Sequence, residues 1–211
     1  MIMEWLTEHY IEVFGALTGI IYIFLEVRQS IWLWPLGLLT SATYVFVFFS
    51  SKFYADMGLQ VYYVLISIYG WYWWLKGGQK FRDNILPVTH IKKKTAIILS
   101  SVFLTVFLIL WYVLVRFTDS PVPLGDAFTT AVSIIATWML ARKIIEHWVL
   151  WLIADVVSIG LYIYKGLFPT VILFVFYTVM AVIGYREWRR SMGREKDTSR
   201  KIQVGDAGDG S

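Results

Sequence analysis

Apolar residues come along this chain in long runs rather than in alternation with polar ones. Runs near 20 residues with few charges lie at roughly 10–27, 31–51, 54–75, 95–115, 125–141, 147–164 and 167–185. Each is long enough to cross about 30 Å of hydrocarbon as a helix. The pattern predicts an all-α polytopic membrane protein with seven transmembrane helices.

The cationic residues test that count, because Lys and Arg collect on the cytoplasmic side of a membrane protein. Seven spans put sixteen of the nineteen on one side: Arg28, the loop from Lys76 to Lys94, Arg142, Lys143 and the stretch from Arg186 to Lys201. Only Lys52, Arg116 and Lys165 fall on the other. This expectation sets the N-terminus outside, the C-terminus in the cytoplasm and the chain in the cell membrane. The N-terminal MIMEWLTEHY has neither Lys nor Arg and no small-residue cleavage site, so it does not read as a secretory signal.

Composition agrees. The 211 residues are 58% hydrophobic and 18% aromatic, with 16% charged, against roughly 25% charged in a soluble domain. Such a chain cannot cover itself with polar surface in water, which excludes soluble and disordered classes and a nucleic-acid partner despite the net charge of +4. The absence of cysteine removes disulfide and thiolate-metal chemistry.

Sliding the chain against itself by 114 residues aligns the first three runs with the last three without a gap. Arg28 meets Arg142, Trp34 meets Trp148, Tyr63 meets Tyr177, Gly70 meets Gly184 and Trp74 meets Trp188. Three spans, one linker span and three spans put the triplets in the same orientation, a 3+1+3 arrangement of parallel repeats used by transporters that hold substrate near the midplane between the halves. The expected division is a first three-helix bundle over 1–75, a basic cytoplasmic loop and linker helix over 76–123, a second bundle over 124–190 and a disordered cytoplasmic tail over 191–211.

An ionisable residue in hydrocarbon costs about 2.5 to 3.5 kcal/mol on insertion scales and normally faces the bundle interior or a wet cavity. Asp155 lies near the centre of the sixth run. Trp148, Trp151, Asp155, Ser158 and Tyr162 share one helical face with it. Trp34 and Ser41 are its uncharged counterparts on the second run, and Gln60, Tyr63, Ser67, Trp71 and Trp74 form a polar stripe on the third. Asp126, Thr130, Ser133 and Thr137 line a face of the fifth, where hydroxyls can bond back to their own helix. Trp5, Trp32, Trp73, Trp74 and Trp188 read as interfacial anchors, and Glu26, His147 and Arg142 as surface ion-pair partners near the cytoplasmic ends.

A midplane carboxylate beside aromatic faces suits an organic cation, the acid supplying charge and the rings cation–π attraction. A flat cationic heterocycle is the natural guest. The expected partners are thus a small-molecule substrate and the lipid bilayer, with a homo-oligomer left open. No phosphate loop, HExxH or GxSxG is present, so the chain is read as a non-enzyme without a cofactor or metal. Residues 169–185 contain no lysine for retinal. Asp155 and His147 are about 12 Å apart along a helix, too far for direct proton exchange. Proton coupling through Asp155 stays an alternative.

The chain resembles the PnuC family of vitamin transporters. The likeness lies in WPLGLL at Trp34 to Leu39, YADMGLQVYY at Tyr54 to Tyr63, YGWYWW at Tyr69 to Trp74, and the stretch from Trp148 through Asp155, Tyr162 and Lys165 to Gly184 and Trp188. It covers nearly everything but the linker span and tail. The resemblance implies a SWEET-like fold and uptake of nicotinamide riboside by facilitated diffusion, with cytoplasmic phosphorylation trapping the substrate. The chain departs from the family's pattern at Asp155 and His147, where many riboside carriers have Asn. Thiamine, carried by relatives in the same superfamily, also has a quaternised ring nitrogen and is the alternative cargo.

Overall fold

A computed structural model describes residues 10–50, 54–78 and 86–208. Trp5, the N-terminal segment and the middle of the basic loop lie outside the described residues. The described residues form seven helices: α1 Tyr10–Val27, α2 Leu33–Ser50, α3 Tyr54–Gly78, α4 Lys93–Phe117, α5 Pro123–Ala141, α6 His147–Tyr164 and α7 Phe168–Gly208. Five of them, α2, α4, α5, α6 and the Phe168–Arg194 part of α7, are long and apolar enough to span a bilayer by length and composition. Phe14–Val27 of α1 is a shorter apolar helix. The hydropathy runs therefore located every helix. Long apolar stretches must satisfy their own backbone in lipid, and the α-helix does this within one segment.

The packing follows the sequence offset. Helix α2 lies on α3 as α6 lies on α7, and α1 on α2 as α5 on α6, while the two halves meet through α1 against α7 and α3 against α5. The linker α4 packs on α5. The turns after α1 and α5 repeat the same Schellman geometry. Ser30 N–H donates to Leu25 O and Ile144 N–H to Met139 O, both at 2.9 Å. Gln29 and Lys143 take the left-handed position at φ 53° and 52°.

Both turns lie at the basic end of the bundle, where an aromatic core fills the space between the halves. Trp34 stands edge-on to Trp74 at 5.5 Å and 86°, and Trp148 edge-on to Trp188 at 5.9 Å and 84°. These indoles need room. Gly70 and Gly184 supply it, since a Cβ at either position would overlap the Trp34 or the Trp148 indole.

Three expectations change here. Trp74 and Trp188 are buried rather than interfacial, because each indole N–H has a buried carbonyl to satisfy: Ala141 O at 3.2 Å for Trp74 and Glu26 O at 3.0 Å for Trp188. Trp32, by contrast, is exposed as an anchor would be. The tail expected to be disordered from Ser191 is helical to Gly208, continuing α7. Nothing between Glu187 and Arg194 stops the helix, and Glu187 pairs with Arg194 at 3.0 Å and Arg190 at 3.7 Å along its surface.

The basic loop docks onto the α5–α6 turn. Thr89 N–H donates to Lys143 O and Ile145 N–H to Thr89 O, both at 3.0 Å. The Glu146 carboxylate accepts from Ile91 N–H at 3.0 Å and pairs with His90 Nδ1 at 2.8 Å.

Candidate functional site: a cavity between the two halves

A cavity of about 550 Å³ lies between the helices, bordered by α1, α2, α3, α5, α6 and α7. It runs from Glu26, beside the aromatic core at the basic end, to Tyr162 in the last turn of α6. Its lining is paired at the 114-residue offset: Gly15 with Thr129, Gly37 with Trp151, Ser41 with Asp155, Tyr44 with Ser158, Tyr63 with Tyr177 and Ser67 with Ala181. Positions equivalent at this offset present different side chains in five of these six pairs, with glycine or serine opposite an aromatic or acid in Gly37/Trp151, Ser41/Asp155 and Tyr44/Ser158, while Tyr63 and Tyr177 are the same.

Of the residues singled out from sequence, Ser41, Gln60, Tyr63, Ser67, Trp151, Asp155, Ser158 and Tyr162 all line this cavity. Helical spacing brought them together: Gln60, Tyr63 and Ser67 are on successive turns of α3, and Trp151, Asp155, Ser158 and Tyr162 on successive turns of α6. Asp155 is 6% exposed. Among the described residues no donor comes within hydrogen-bonding distance of its carboxylate, which leaves its full acceptor capacity to a guest. The Trp151 indole N–H is likewise without a protein partner.

Trp34 and Trp148 do not line the cavity. Although Trp148 shares the α6 stripe with Asp155, it is nearly two turns closer to the basic end, where the glycine notches of α3 and α7 take up the rings. On α3, Trp71 is partly exposed on the outer surface, and Trp74 belongs to the aromatic core. On α5, Thr130, Ser133 and Thr137 reach the cavity. The Ser133 and Thr137 hydroxyls also donate one turn back, to Thr129 O and Ser133 O at 2.8 Å. Asp126 instead pairs with Lys165 at 3.0 Å at the far end and accepts from Ser120 Oγ at 2.7 Å.

The surface ion pair expected of Glu26, His147 and Arg142 is not what forms. Glu26 and His147 are 2% and 0% exposed and meet each other, Nε2 to Oε1, at 3.1 Å. Glu26 also borders the cavity, giving it a second carboxylate. Position near a helix end suggested solvent, but α7 and its Trp188 cover this end. Arg142 stacks on Trp73 at 3.8 Å and donates to the Tyr69 hydroxyl at 3.0 Å. The largest group of cavity residues that the stripes missed is on α1, where Gly15, Thr18, Gly19 and Tyr22 contribute, with others on α2 and α7. Small residues at three- and four-residue spacing were the signal for them.

A helical bundle apolar on its outside, enclosing a polar and aromatic chamber between similar halves, is a membrane transporter. Residues 9–190 match the family described as Nicotinamide mononucleotide transporter, and the chain belongs to it. Among its relatives is "Nicotinamide riboside transporter PnuC" of Escherichia coli (strain K12), 26% identical over 205 residues and covering 86% of each chain. Another is "Riboflavin/roseoflavin transporter RibM" of Streptomyces davaonensis, 27% identical over 199 residues, covering 88% of this chain and 92% of that one. The fold is that of the crystal structure of the vitamin B3 transporter PnuC, with a TM-score of 0.69 at 20% identity, over 92% of this chain and 86% of that one.

Proposed function

We propose that this protein carries nicotinamide riboside across the membrane by facilitated diffusion, binding it in the cavity between two parallel three-helix repeats joined by α4. The observation that carries the reading is the unpaired Asp155 carboxylate, set in a chamber with Trp151, Tyr63, Tyr162 and Tyr177. A quaternised pyridinium ring gains charge attraction from the acid and cation–π attraction from the rings. The ribose hydroxyls find partners in Gln60, Ser41, Ser67 and Ser158. Repeat packing supports alternating access, since matched helix pairs let one half rock against the other. The distribution of Lys and Arg supports an outside N-terminus and a cytoplasmic C-terminus.

The relationship to a riboflavin carrier supports a second reading, but a neutral isoalloxazine would leave Asp155 buried without compensation. Thiamine fits the charge as well as nicotinamide riboside and lacks the ribose for which the polar lining is suited. Thermal stabilisation of the purified protein by the three compounds, followed by uptake of labelled compound into proteoliposomes, tests the assignment. Nicotinamide riboside is expected to stabilise most and to equilibrate without a proton gradient. Stabilisation by riboflavin alone would overturn the cation reading, and accumulation above equilibrium would overturn facilitated diffusion.

A further inference from the structure

His147 is held at both ring nitrogens. Its Nδ1 lies 2.7 Å from Ile144 O, and its Nε2 lies 3.1 Å from Glu26 Oε1. A carbonyl oxygen only accepts, so Nδ1 carries a hydrogen. In the neutral ring Nε2 then has a lone pair, which cannot face a carboxylate that also only accepts. The contact closes in two ways: an imidazolium donates from Nε2 to an ionised Glu26, or a protonated Glu26 donates to Nε2 of a neutral ring. Both forms hold the same proton, and both are electrically neutral. Loss of that proton leaves a net charge of −1 at the basic end of the cavity.

We infer that Glu26 and His147 together form a proton-binding site at the cavity's inner end, and that its proton and a cationic cargo compete. The inference rests on the proposed cationic cargo for the coupling, but not for the proton site itself. When the cation enters, the proton leaves Glu26–His147 for solvent through the cavity that Glu26 borders. Linkage is reciprocal: if the cation expels the proton, raising pH strengthens cation binding by the same factor. The ionisable groups that share the cavity with Glu26 are Asp155 and Tyr162 from α6, Tyr22 from α1, Tyr44 from α2, Tyr63 from α3 and Tyr177 from α7. The Lys143 ammonium of the α5–α6 turn is bonded to Gln29 Oε1 at 3.1 Å and lies 4.5 Å from the Trp74 ring. Helix α7 contributes the neutral Trp188, while α2 and α5 present hydroxyls to the cavity.

Two measurements on the full chain in lipid nanodiscs test this. The first needs no cargo: nitrogen NMR of protein labelled in its three histidines, with the His147 ring assigned by its loss in His147→Gln. A ring with hydrogen on Nδ1 is expected, and a neutral ring bare at Nδ1 with hydrogen on Nε2 would overturn the site. The second is calorimetric titration with nicotinamide riboside in buffers of different ionisation enthalpy, from pH 5.5 to 8.5. Proton release on binding and an affinity at least about fivefold greater at the upper pH are expected, both lost in Glu26→Gln. Binding without proton release overturns the coupling. A pH dependence that survives Glu26→Gln and vanishes in Asp155→Asn assigns the proton to Asp155 and overturns the inference. Absence of any binding heat in the wild type counts against the cargo proposed above, and the NMR result still decides the proton site.

Discussion

Lys143 Nζ donates to Gln29 Oε1 at 3.1 Å, and the two residues stand 114 positions apart, at equivalent places in equivalent turns. The bond joins residues that match at the 114-residue offset. Both occupy a left-handed backbone position that glycine usually fills at a helix end. Here a side chain is needed to reach across. The contact ties the α1–α2 turn to the α5–α6 turn at the basic end of the bundle, and Gln29 extends it to α7 through Ser191 Oγ at 2.9 Å.

Valine at either turn position should destabilise the protein by about 1–2 kcal/mol, because a branched side chain clashes with the following carbonyl at positive φ. Glycine should relieve the backbone while removing the bond. Thermal melting of Gln29→Val, Lys143→Val and both glycine variants would show this order, and equal melting temperatures for the valine and glycine variants would contradict it.

Asp155→Asn keeps the shape of the side chain and removes its charge. It should lower the affinity for nicotinamide riboside about tenfold or more, the scale on which a charge-assisted contact differs from a neutral one. The variant should remain folded, since among the described residues Asp155 has no hydrogen-bonding partner to lose. Ligand-induced shifts in melting temperature read both effects together.

Gly70→Ala and Gly184→Ala should each cost about 1–3 kcal/mol by pressing a methyl group into a fully buried indole. Pairing each with Trp34→Phe or Trp148→Phe should recover part of the loss. The rescue should be specific to the partner in the same half, with Trp34→Phe helping Gly70→Ala and not Gly184→Ala.

Glu146→Ala removes the acceptor for Ile91 N–H and the partner of His90, both at the point where the basic loop meets the bundle. The loop should become cleavable by trypsin at Lys92 to Lys94 several times faster than in the wild type. Substrate binding in the cavity should be unaffected, because Glu146 faces away from it.

The chain's own pattern determined the seven helices, their order, the 114-residue offset and the polar cavity stripes of α3, α5 and α6, because hydropathy and helical spacing are local properties. Gln60, Tyr63 and Ser67 share a face of α3 wherever that helix goes, as Trp151, Asp155 and Ser158 do on α6. Only the tertiary structure decided which end of each stripe faces a void and which faces a neighbour. Trp34 and Trp148 belong to the core because Gly70 and Gly184, on other helices, leave gaps that fit them. Glu26 and His147 are buried because α7 closes over them, and their 121-residue separation is invisible to any helical period. A face is written in one segment, whereas burial is a property of two.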